Sequence, residues 1–317
     1  MRHIEPLTLD DVRAARDRIA GSIVRTPLVK LDVDAPAEIY LKLETLQPIG
    51  SFKLRGAMNA IRMLAPDALA RGVYTASAGN MAQGVAWGAR ALGIPCTVVV
   101  PDNAPKTKLD AVTRMGARIV AVPYDEWWQT LVDNGKPGIQ GTFIHPVADR
   151  AVMAGNGTVG LEIAEDLPDV DAVLVPFGGG GLATGIATAI RALVPYAKVY
   201  GCEVDSATPL TASLAAGEPV VVDRRPSFVD GIGGRGVLPE MWPMVRMLDG
   251  AIVATVAEVA GAVRLLVERV RIVAEGAGAT PVAAALAGRG GGGKVVCVVS
   301  GGNIDIQTLI DLLRSPH

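Results

Sequence analysis

The strongest constraint on the fold is a regular alternation of short apolar strands with amphipathic helices. In the first half of the chain, apolar runs of strand length are predicted at Val73–Ala76, Thr97–Val100, Arg118–Val122 and Thr142–Ile144. A second series of strands is predicted at Ala172–Phe177, Lys198–Val204 and Val295–Val299. Segments with helical spacing lie between the strands, among them Met81–Leu92, Pro105–Met115, Val159–Ala164 and Pro281–Ala287. This alternation is typical of an α/β protein with a parallel sheet.

Composition excludes several classes of function. The formal net charge is −2 and only 4% of the residues are aromatic, so the chain has neither the basic excess nor the stacking platform of a nucleic-acid-binding protein. No apolar run reaches membrane-spanning length, and the charged N-terminal residues argue against a signal peptide, so we expect a cytoplasmic protein with no membrane contact. With histidine only at positions 3, 145 and 317, a histidine-rich metal site or a Ser-His-Asp triad is disfavoured, and we expect no metal.

A lysine, Lys53, stands at the predicted start of an amphipathic helix, within the segment Gly50–Gly56. Its neighbours Phe52 and Leu54 are apolar, and an apolar setting lowers the pKa of a lysine. Since the neutral amine is the nucleophile, Lys53 is a candidate for covalent catalysis through a Schiff base. The alternative is a solvated lysine whose stem lies along the helix surface.

Three turns follow predicted strands and offer polar or backbone groups to a ligand. The four glycines Gly178, Gly179, Gly180 and Gly181 open a helix, where backbone N–H groups can bind an anion. The same glycines, with Glu203 at the end of the next strand, also fit a dinucleotide-binding fingerprint. The turns Ser77–Asn80 and Ser300–Asn303 each bring a hydroxyl and an amide to a strand end, although either can be an ordinary helix cap.

In this order, the lysine segment and the three turns resemble the fold-type II pyridoxal-phosphate enzymes, and within them the threonine/serine dehydratases and serine racemases. Segments 154–158 and 274–278 are also similar to that family. The resemblance implies a fold like that of the tryptophan synthase β subunit, an α/β fold with two open, mostly parallel sheets flanked by helices. Residues 1–50 and 150–317 are expected to form a large cofactor-binding domain, and residues 51–149 a small domain that closes over the active site. The same resemblance implies that the cofactor is pyridoxal 5′-phosphate and that the protein assembles as a homodimer.

The resemblance also assigns roles to individual residues. Lys53 would bind the cofactor covalently and then act as the base at the substrate Cα. The remaining cofactor-binding residues would be Phe52 and Gly231 on the two faces of the pyridine ring, Asn80 at its 3′-oxygen, Gly178 to Gly181 at the phosphate, Ser300 at the ring nitrogen, and Glu275. The amino acid substrate would be held by Ser77, Gly79 and Asn80, with Met81 beside them.

The expected reaction is β-elimination of water from a 3-hydroxy amino acid, which gives a 2-oxo acid and ammonia. A neutral hydroxyl such as that of Ser300 does not force protonation of the ring nitrogen, and the weaker electron sink favours elimination. Met81 stands where the dehydratases usually have histidine, so a bulkier substrate such as phenylserine is expected to compete with threonine. Pro209 replaces an acid of the family's divalent-cation pattern, and Ala78 replaces the serine of the racemases. Serine racemase, a β-replacement synthase of the same fold and a nicotinamide-dependent dehydrogenase are the alternatives.

Overall fold

The computed structural model describes residues 3–104 and 106–314, with the side chains at 106–108 outside the description. Within these ranges the strands are β1 Leu28–Lys30, β2 Glu38–Leu43, β3 Val73–Ala76, β4 Cys96–Pro101, β5 Arg118–Val122, β6 Thr142–Phe143, β7 Ala172–Pro176, β8 Lys198–Val204, β9 Ala251–Ala254 and β10 Lys294–Val299. The helices are α1 Leu9–Ile19, α2 Lys53–Arg62, α3 Pro66–Arg71, α4 Asn80–Leu92, α5 Lys106–Arg114, α6 Tyr124–Val132, α7 Arg150–Asp166, α8 Gly181–Leu193, α9 Pro209–Ala216, α10 Trp242–Val245, α11 Val256–Leu265, α12 Gly276–Leu286 and α13 Ile306–Arg314.

The strands form two sheets, as the resemblance implies. The larger sheet has the order β1-β2-β10-β7-β8-β9, and the smaller has the order β5-β4-β3-β6. Every neighbouring pair is parallel except β1 with β2, which is antiparallel at the edge of the larger sheet. The prediction of an α/β fold with two open, mostly parallel sheets is therefore confirmed.

Both faces of the larger sheet are buried. On strand β7, Val173 and Val175 pack into the same cluster as Ile186 of α8, whereas Leu174 packs on the opposite side with Val282 of α12. Successive strand residues point to opposite faces, so an uninterrupted apolar run is what a sheet covered on both faces requires. No helix within the described ranges is long and apolar enough to cross a membrane.

Helix α7 is much longer than the sequence predicts. It begins at Arg150, nine residues before the predicted start at Val159, because residues 155–160 contain glycines that hide the apolar spacing. These glycines are contact points: a Cβ on Gly155 would lie 2.5 Å from the Arg55 carbonyl oxygen of α2, and one on Gly157 would lie 2.8 Å from the Gly185 carbonyl oxygen of α8. Helix α7 thus packs backbone to backbone against two other helices.

Other departures from the predicted elements have local causes. Helix α12 begins at Gly276, and Pro281, predicted as its start, lies inside it. Helices α3 and α9 and strand β9 were not predicted, since each is short and has no clear apolar period. The cysteines Cys96, Cys202 and Cys297 are free thiols in or at the edge of strands, as expected.

A buried ion network joins α2 to the larger sheet and to α7. The Arg55 guanidinium is fully buried; it donates from Nη2 to Glu44 Oε1 at 2.7 Å and from Nη1 to Glu162 Oε1 at 2.6 Å. Lys42 Nζ lies 2.6 Å from the other Glu162 oxygen. Burial by itself raises the pKa of Glu162, but Arg55 and Lys42 together hold this pKa below its usual value. The network fixes the helix that begins with Lys53.

Candidate active site

The four segments singled out in the sequence meet at the carboxyl ends of the central strands. Ser51, just before α2, forms an isolated bridge with Gly301, just after β10. The Phe52 N–H donates to the Ser300 carbonyl at 3.0 Å, so the lysine segment is joined directly to the last turn. Asn80, at the start of α4, reaches both Glu275 and Asn303 through hydrogen bonds. Crevices at the carboxyl ends of parallel strands are where α/β proteins bind their ligands.

Lys53 is the first residue of α2, and its side chain is partly buried. Its Nζ donates to the Pro146 carbonyl at 2.9 Å and lies 5.1 Å from the centre of the Phe52 ring. Burial lowers the pKa of Lys53 from 10.5 to about 8, although the negative charge of Glu275 acts in the opposite direction. The lowered pKa expected from the apolar neighbours is therefore present, and a larger fraction of the amine is neutral near neutral pH.

Asn80 has a hydrogen-bond partner at each end of its amide. Its Nδ2 donates to Glu275 Oε1 at 2.8 Å, and its Oδ1 accepts from Asn303 Nδ2 at 2.7 Å. An amide nitrogen carries two hydrogens, and within the described residues only one of them has an acceptor, so the second N–H of Asn80 can serve a ligand. Asn80 can therefore hold an oxygen of a bound molecule, as the sequence predicts.

The glycine turn between β7 and α8 lies tightly against its neighbours. A Cβ on Gly179 would lie 2.6 Å from Val147 Cγ1, and one on Gly180 would lie 2.6 Å from Val245 Cγ2. Gly180 also has φ +93°, which favours glycine. The first turn of α8 leaves backbone N–H groups without helical acceptors, and these groups suit an anion such as a phosphate.

Gly231 and Ser300 complete the predicted cofactor-binding set. A Cβ on Gly178 would lie 3.4 Å from the Gly231 carbonyl oxygen, and one on Gly231 would lie 3.7 Å from Glu275 Oε1, so Gly231 lies between the glycine turn and Glu275. Ser300 is only 2% exposed, at the end of β10. The structure therefore gathers the predicted cofactor residues around one site.

Among the predicted substrate residues, Met81 departs from expectation. Ser77 and Gly79 lie in a partly exposed turn, where the Gly79 N–H donates to Ser77 Oγ at 3.2 Å. Met81 is only 1% exposed and belongs to an apolar cluster with Ala57 and Ile61 of α2. Because its side chain packs between α4 and α2, the prediction that Met81 lies beside the substrate and favours a bulkier one is not supported by the structure.

Sequence reasoning missed two groups of this site. The Pro146 carbonyl accepts from Lys53 Nζ, and Val147 closes one side of the glycine turn. Asn303 belongs to a predicted turn, but the sequence does not show its contact with Asn80. Pro146 and Val147 have no signal in the sequence, because the group that accepts from Lys53 is a backbone carbonyl and the start of α7, which follows them, was predicted nine residues too late.

Glu203 has a structural role that removes it from the dinucleotide fingerprint. Its carboxylate is buried and accepts from the backbone N–H groups of Leu210 at 2.6 Å and Thr211 at 2.8 Å. Burial raises its pKa, while these hydrogen bonds act in the opposite direction. A carboxylate occupied in this way at the start of α9 is not free to bind a ribose.

Comparison with known proteins agrees with this geometry. Residues 19–301 match the family model described as "Pyridoxal-phosphate dependent enzyme". The chain belongs to the pyridoxal-phosphate-dependent enzymes. It is 40% identical to L-threonine ammonia-lyase of Thermotoga maritima over 311 residues, covering 96% of this chain and 77% of that protein. It is 42% identical to L-threonine ammonia-lyase of Geobacter sulfurreducens over 316 residues, with the same coverage. Maize serine racemase superposes with a TM-score of 0.88 at 32% identity, covering 97% of each chain.

These similarities place the chain in the threonine/serine dehydratase branch of the pyridoxal-phosphate-dependent enzymes. The residues present fit the cofactor: a partly buried amine of lowered pKa, an Asn80 amide N–H that no described residue accepts, a buried serine at the end of β10 and a side-chain-free turn at a helix N-terminus. The nicotinamide-dependent alternative is wrong, because both the family match and the role of Glu203 contradict it.

Proposed function

We propose that this protein is an ammonia-lyase that removes water from threonine and serine and releases the 2-oxo acid and ammonia. The observation that carries the proposal is the Lys53 amine, whose pKa is about 8 and which lies in the same site as Asn80, Glu275 and the glycine turn. Similarity to the two L-threonine ammonia-lyases supports threonine as the first substrate to test.

Each group of the site has one task in this proposal. Pyridoxal phosphate, which Lys53 would hold before the substrate binds, would supply an electron sink for the negative charge at the substrate Cα. Once Lys53 Nζ is free of the cofactor, it would take the proton from Cα, and burial, which lowers the pKa of this amine, favours the neutral form needed for that task. The turn with Ser77 and Gly79 binds the substrate carboxylate. With the hydroxyl on Cβ as the leaving group, loss of water and then hydrolysis give the 2-oxo acid and ammonia.

Ala78 favours elimination over racemisation. A racemase needs an acid on the face of the substrate opposite the lysine, and Ala78, in the turn next to Asn80, has no proton to give. This is why serine racemase, despite the structural similarity of the maize enzyme, remains the second candidate.

The proposal for threonine and serine replaces the expectation of an aryl substrate. That expectation depended on a Met81 side chain that faces the substrate, whereas the side chain lies in the apolar cluster between α2 and α4. We therefore expect threonine to exceed 3-phenylserine in kcat/KM.

The test is a substrate screen of the holoenzyme. L-Threonine and L-serine should give 2-oxobutanoate and pyruvate, and Lys53→Ala should abolish both products. Borohydride reduction followed by peptide mapping should find the cofactor on Lys53. In deuterated water, D-serine in amounts similar to pyruvate would favour the racemase, and activity only with O-acetylserine and sulfide would favour a β-replacement synthase.

Assembly, location and domain organisation are part of the same proposal. The division into residues 1–50 with 150–317 and residues 51–149 is supported by the strands, because β3 to β6 form the smaller sheet and the other strands form the larger one. We propose a homodimer in the cytoplasm, and light scattering of the purified holoenzyme tests its molar mass.

A further inference from the structure

Asn303 contacts two of the segments that form the active site. It follows β10 and the turn that begins with Ser300. Its Nδ2 donates to the Ile49 carbonyl at 2.8 Å and to Asn80 Oδ1 at 2.7 Å. Gly50 has φ +69°, and a Cβ there would lie 2.9 Å from Asn303 Oδ1, so the loop that leads to Lys53 lies against the Asn303 side chain. Asn303 therefore ties this loop to the turn that carries Asn80.

These contacts determine the orientation of both side-chain amides, that is, which side carries Oδ1 and which carries Nδ2. A backbone carbonyl only accepts hydrogen bonds, so the Ile49 carbonyl requires Nδ2 of Asn303 on its side. The same nitrogen donates its second hydrogen to Asn80, which must therefore accept it through Oδ1. At the other end, the Glu275 carboxylate accepts from Asn80 Nδ2 at 2.8 Å. All three contacts agree on one direction for the Asn80 amide.

We propose that Asn303 is a positioning residue that fixes the direction of the Asn80 amide and so keeps its second N–H as the donor for an oxygen of the cofactor. This inference rests on the proposed contact between Asn80 and the cofactor's 3′-oxygen. Without Asn303, Glu275 is the one side-chain partner that the described residues offer to the Asn80 amide, which can then turn away from its ligand.

The first test is Asn303→Asp. Aspartate has almost the same shape but no donor, so Asn80 would meet an acceptor on both sides, and its amide would be satisfied on only one. We expect cofactor affinity to fall about threefold to tenfold, the size of one lost hydrogen bond. We also expect the pH-dependent change in the absorption spectrum of the bound cofactor to move to higher pH, because an anionic ring oxygen that loses a donor is protonated more readily.

A matched control separates this role from general stability. Asn59 of α2 is fully buried, donates from Nδ2 to the Ala151 carbonyl at 2.7 Å and accepts from Arg18 at Oδ1. Asn59→Ala should lower the thermal midpoint at least as much as Asn303→Asp while the spectral transition stays at its original pH. An equal spectral change in both variants would overturn the inference.

A double variant tests the direction of the amide itself. In Asn303→Asp with Glu275→Gln, donor and acceptor exchange sides, so Asn80 can be fully hydrogen-bonded in the reversed direction. Compared with Asn303→Asp alone, we expect the double variant to recover part of the thermal midpoint, because Asn80 is again hydrogen-bonded on both sides, but to keep weaker cofactor binding and the shifted spectrum, while the Ile49 carbonyl still lacks its donor. If cofactor binding and the spectrum recovered together with the midpoint, Asn303 would only satisfy the hydrogen bonds of Asn80, and the direction of the Asn80 amide would not matter for the cofactor.

Asn80→Ala distinguishes failure of this inference from failure of the role proposed for Asn80. If Asn80→Ala leaves cofactor binding and spectrum unchanged, the proposed contact of Asn80 is wrong, and the inference about Asn303 is lost with it. If Asn80→Ala changes both and Asn303→Asp changes neither, only the inference about Asn303 is overturned.

Discussion

Replacing Lys53 by methionine should stabilise the cofactor-free enzyme at neutral pH. Burial holds the pKa of this lysine at about 8 instead of 10.5, so below pH 8 the folded chain must carry a poorly solvated charge. The difference corresponds to about 3 kcal/mol. Methionine keeps most of the side-chain volume. Loss of the hydrogen bond from Nζ to the Pro146 carbonyl offsets about 1 kcal/mol of the gain in unfolding free energy. A net gain of about 2 kcal/mol remains.

The pH dependence gives the sign of this effect. Between pH 8 and pH 10.5 the unfolded chain binds a proton at Lys53 and the folded chain does not, so the stability of the wild type rises with pH in this window. The advantage of Lys53→Met should therefore be full below pH 8 and disappear as the pH approaches 10.5. Stability is measured by urea unfolding of enzyme freed of cofactor, since the bound cofactor would occupy the amine.

The control is Lys198→Met, because the Lys198 side chain is 59% exposed. A surface replacement of this kind should change stability by less than about 0.5 kcal/mol at any pH. The reasoning would be refuted if Lys53→Met were no more stable than the wild type at pH 7, or if its advantage were the same at pH 7 and pH 10.

Three further predictions follow from the packing of the site. Arg55→Met leaves its partners Glu44 and Glu162 buried without their guanidinium and should cost about 3–5 kcal/mol of unfolding free energy; thermal unfolding checks this, with the exposed Arg71→Ala as the control that changes little. Gly179→Ala places a Cβ against the side chain beside the glycine turn and should weaken cofactor binding, measured by fluorescence titration; unchanged affinity would argue against this turn as the phosphate site. Ala78→Ser should increase D-serine formation from L-serine in deuterated water, as measured by chiral chromatography, and no increase would show that a missing acid is not what limits racemisation.

The sheets could be predicted from the sequence, because each central strand is an apolar run that ends at a turn residue. The predicted bounds of β3, β5 and β8 agree with the structure residue for residue. Lys53 could be predicted as a candidate from the apolar residues adjacent to it in the chain, although its lowered pKa comes from burial in the folded protein. A structural feature whose physical cause lies within a few neighbouring residues can be predicted from the sequence.

Met81 shows where such prediction ends. Its position next to the turn was predicted correctly, but the direction of its side chain is decided by α2, whose residues Ala57 and Ile61 lie 24 and 20 positions earlier in the sequence. The partner of Lys53 Nζ is a backbone carbonyl at Pro146, which any residue type would supply. Both features arise from tertiary packing and have no counterpart in local composition.

Helix α7 explains how the distant parts of the site keep their spacing. The amine is carried by α2 and the glycine turn by α8, and both helices pack directly against α7 through glycines: a Cβ on Gly56 would lie 2.7 Å from the Val152 carbonyl oxygen, and one on Gly160 would lie 2.9 Å from the Ile186 carbonyl oxygen. Contacts this close leave no room for a side chain to adjust, because protein interiors are packed as densely as crystals. The buried pair between Arg55 and Glu162 adds a charged link across the same helix contact. Helix α7 therefore sets the distance between the amine and the proposed phosphate site. Its glycines, which from sequence alone suggest turns, allow the close helix contacts that fix this spacing.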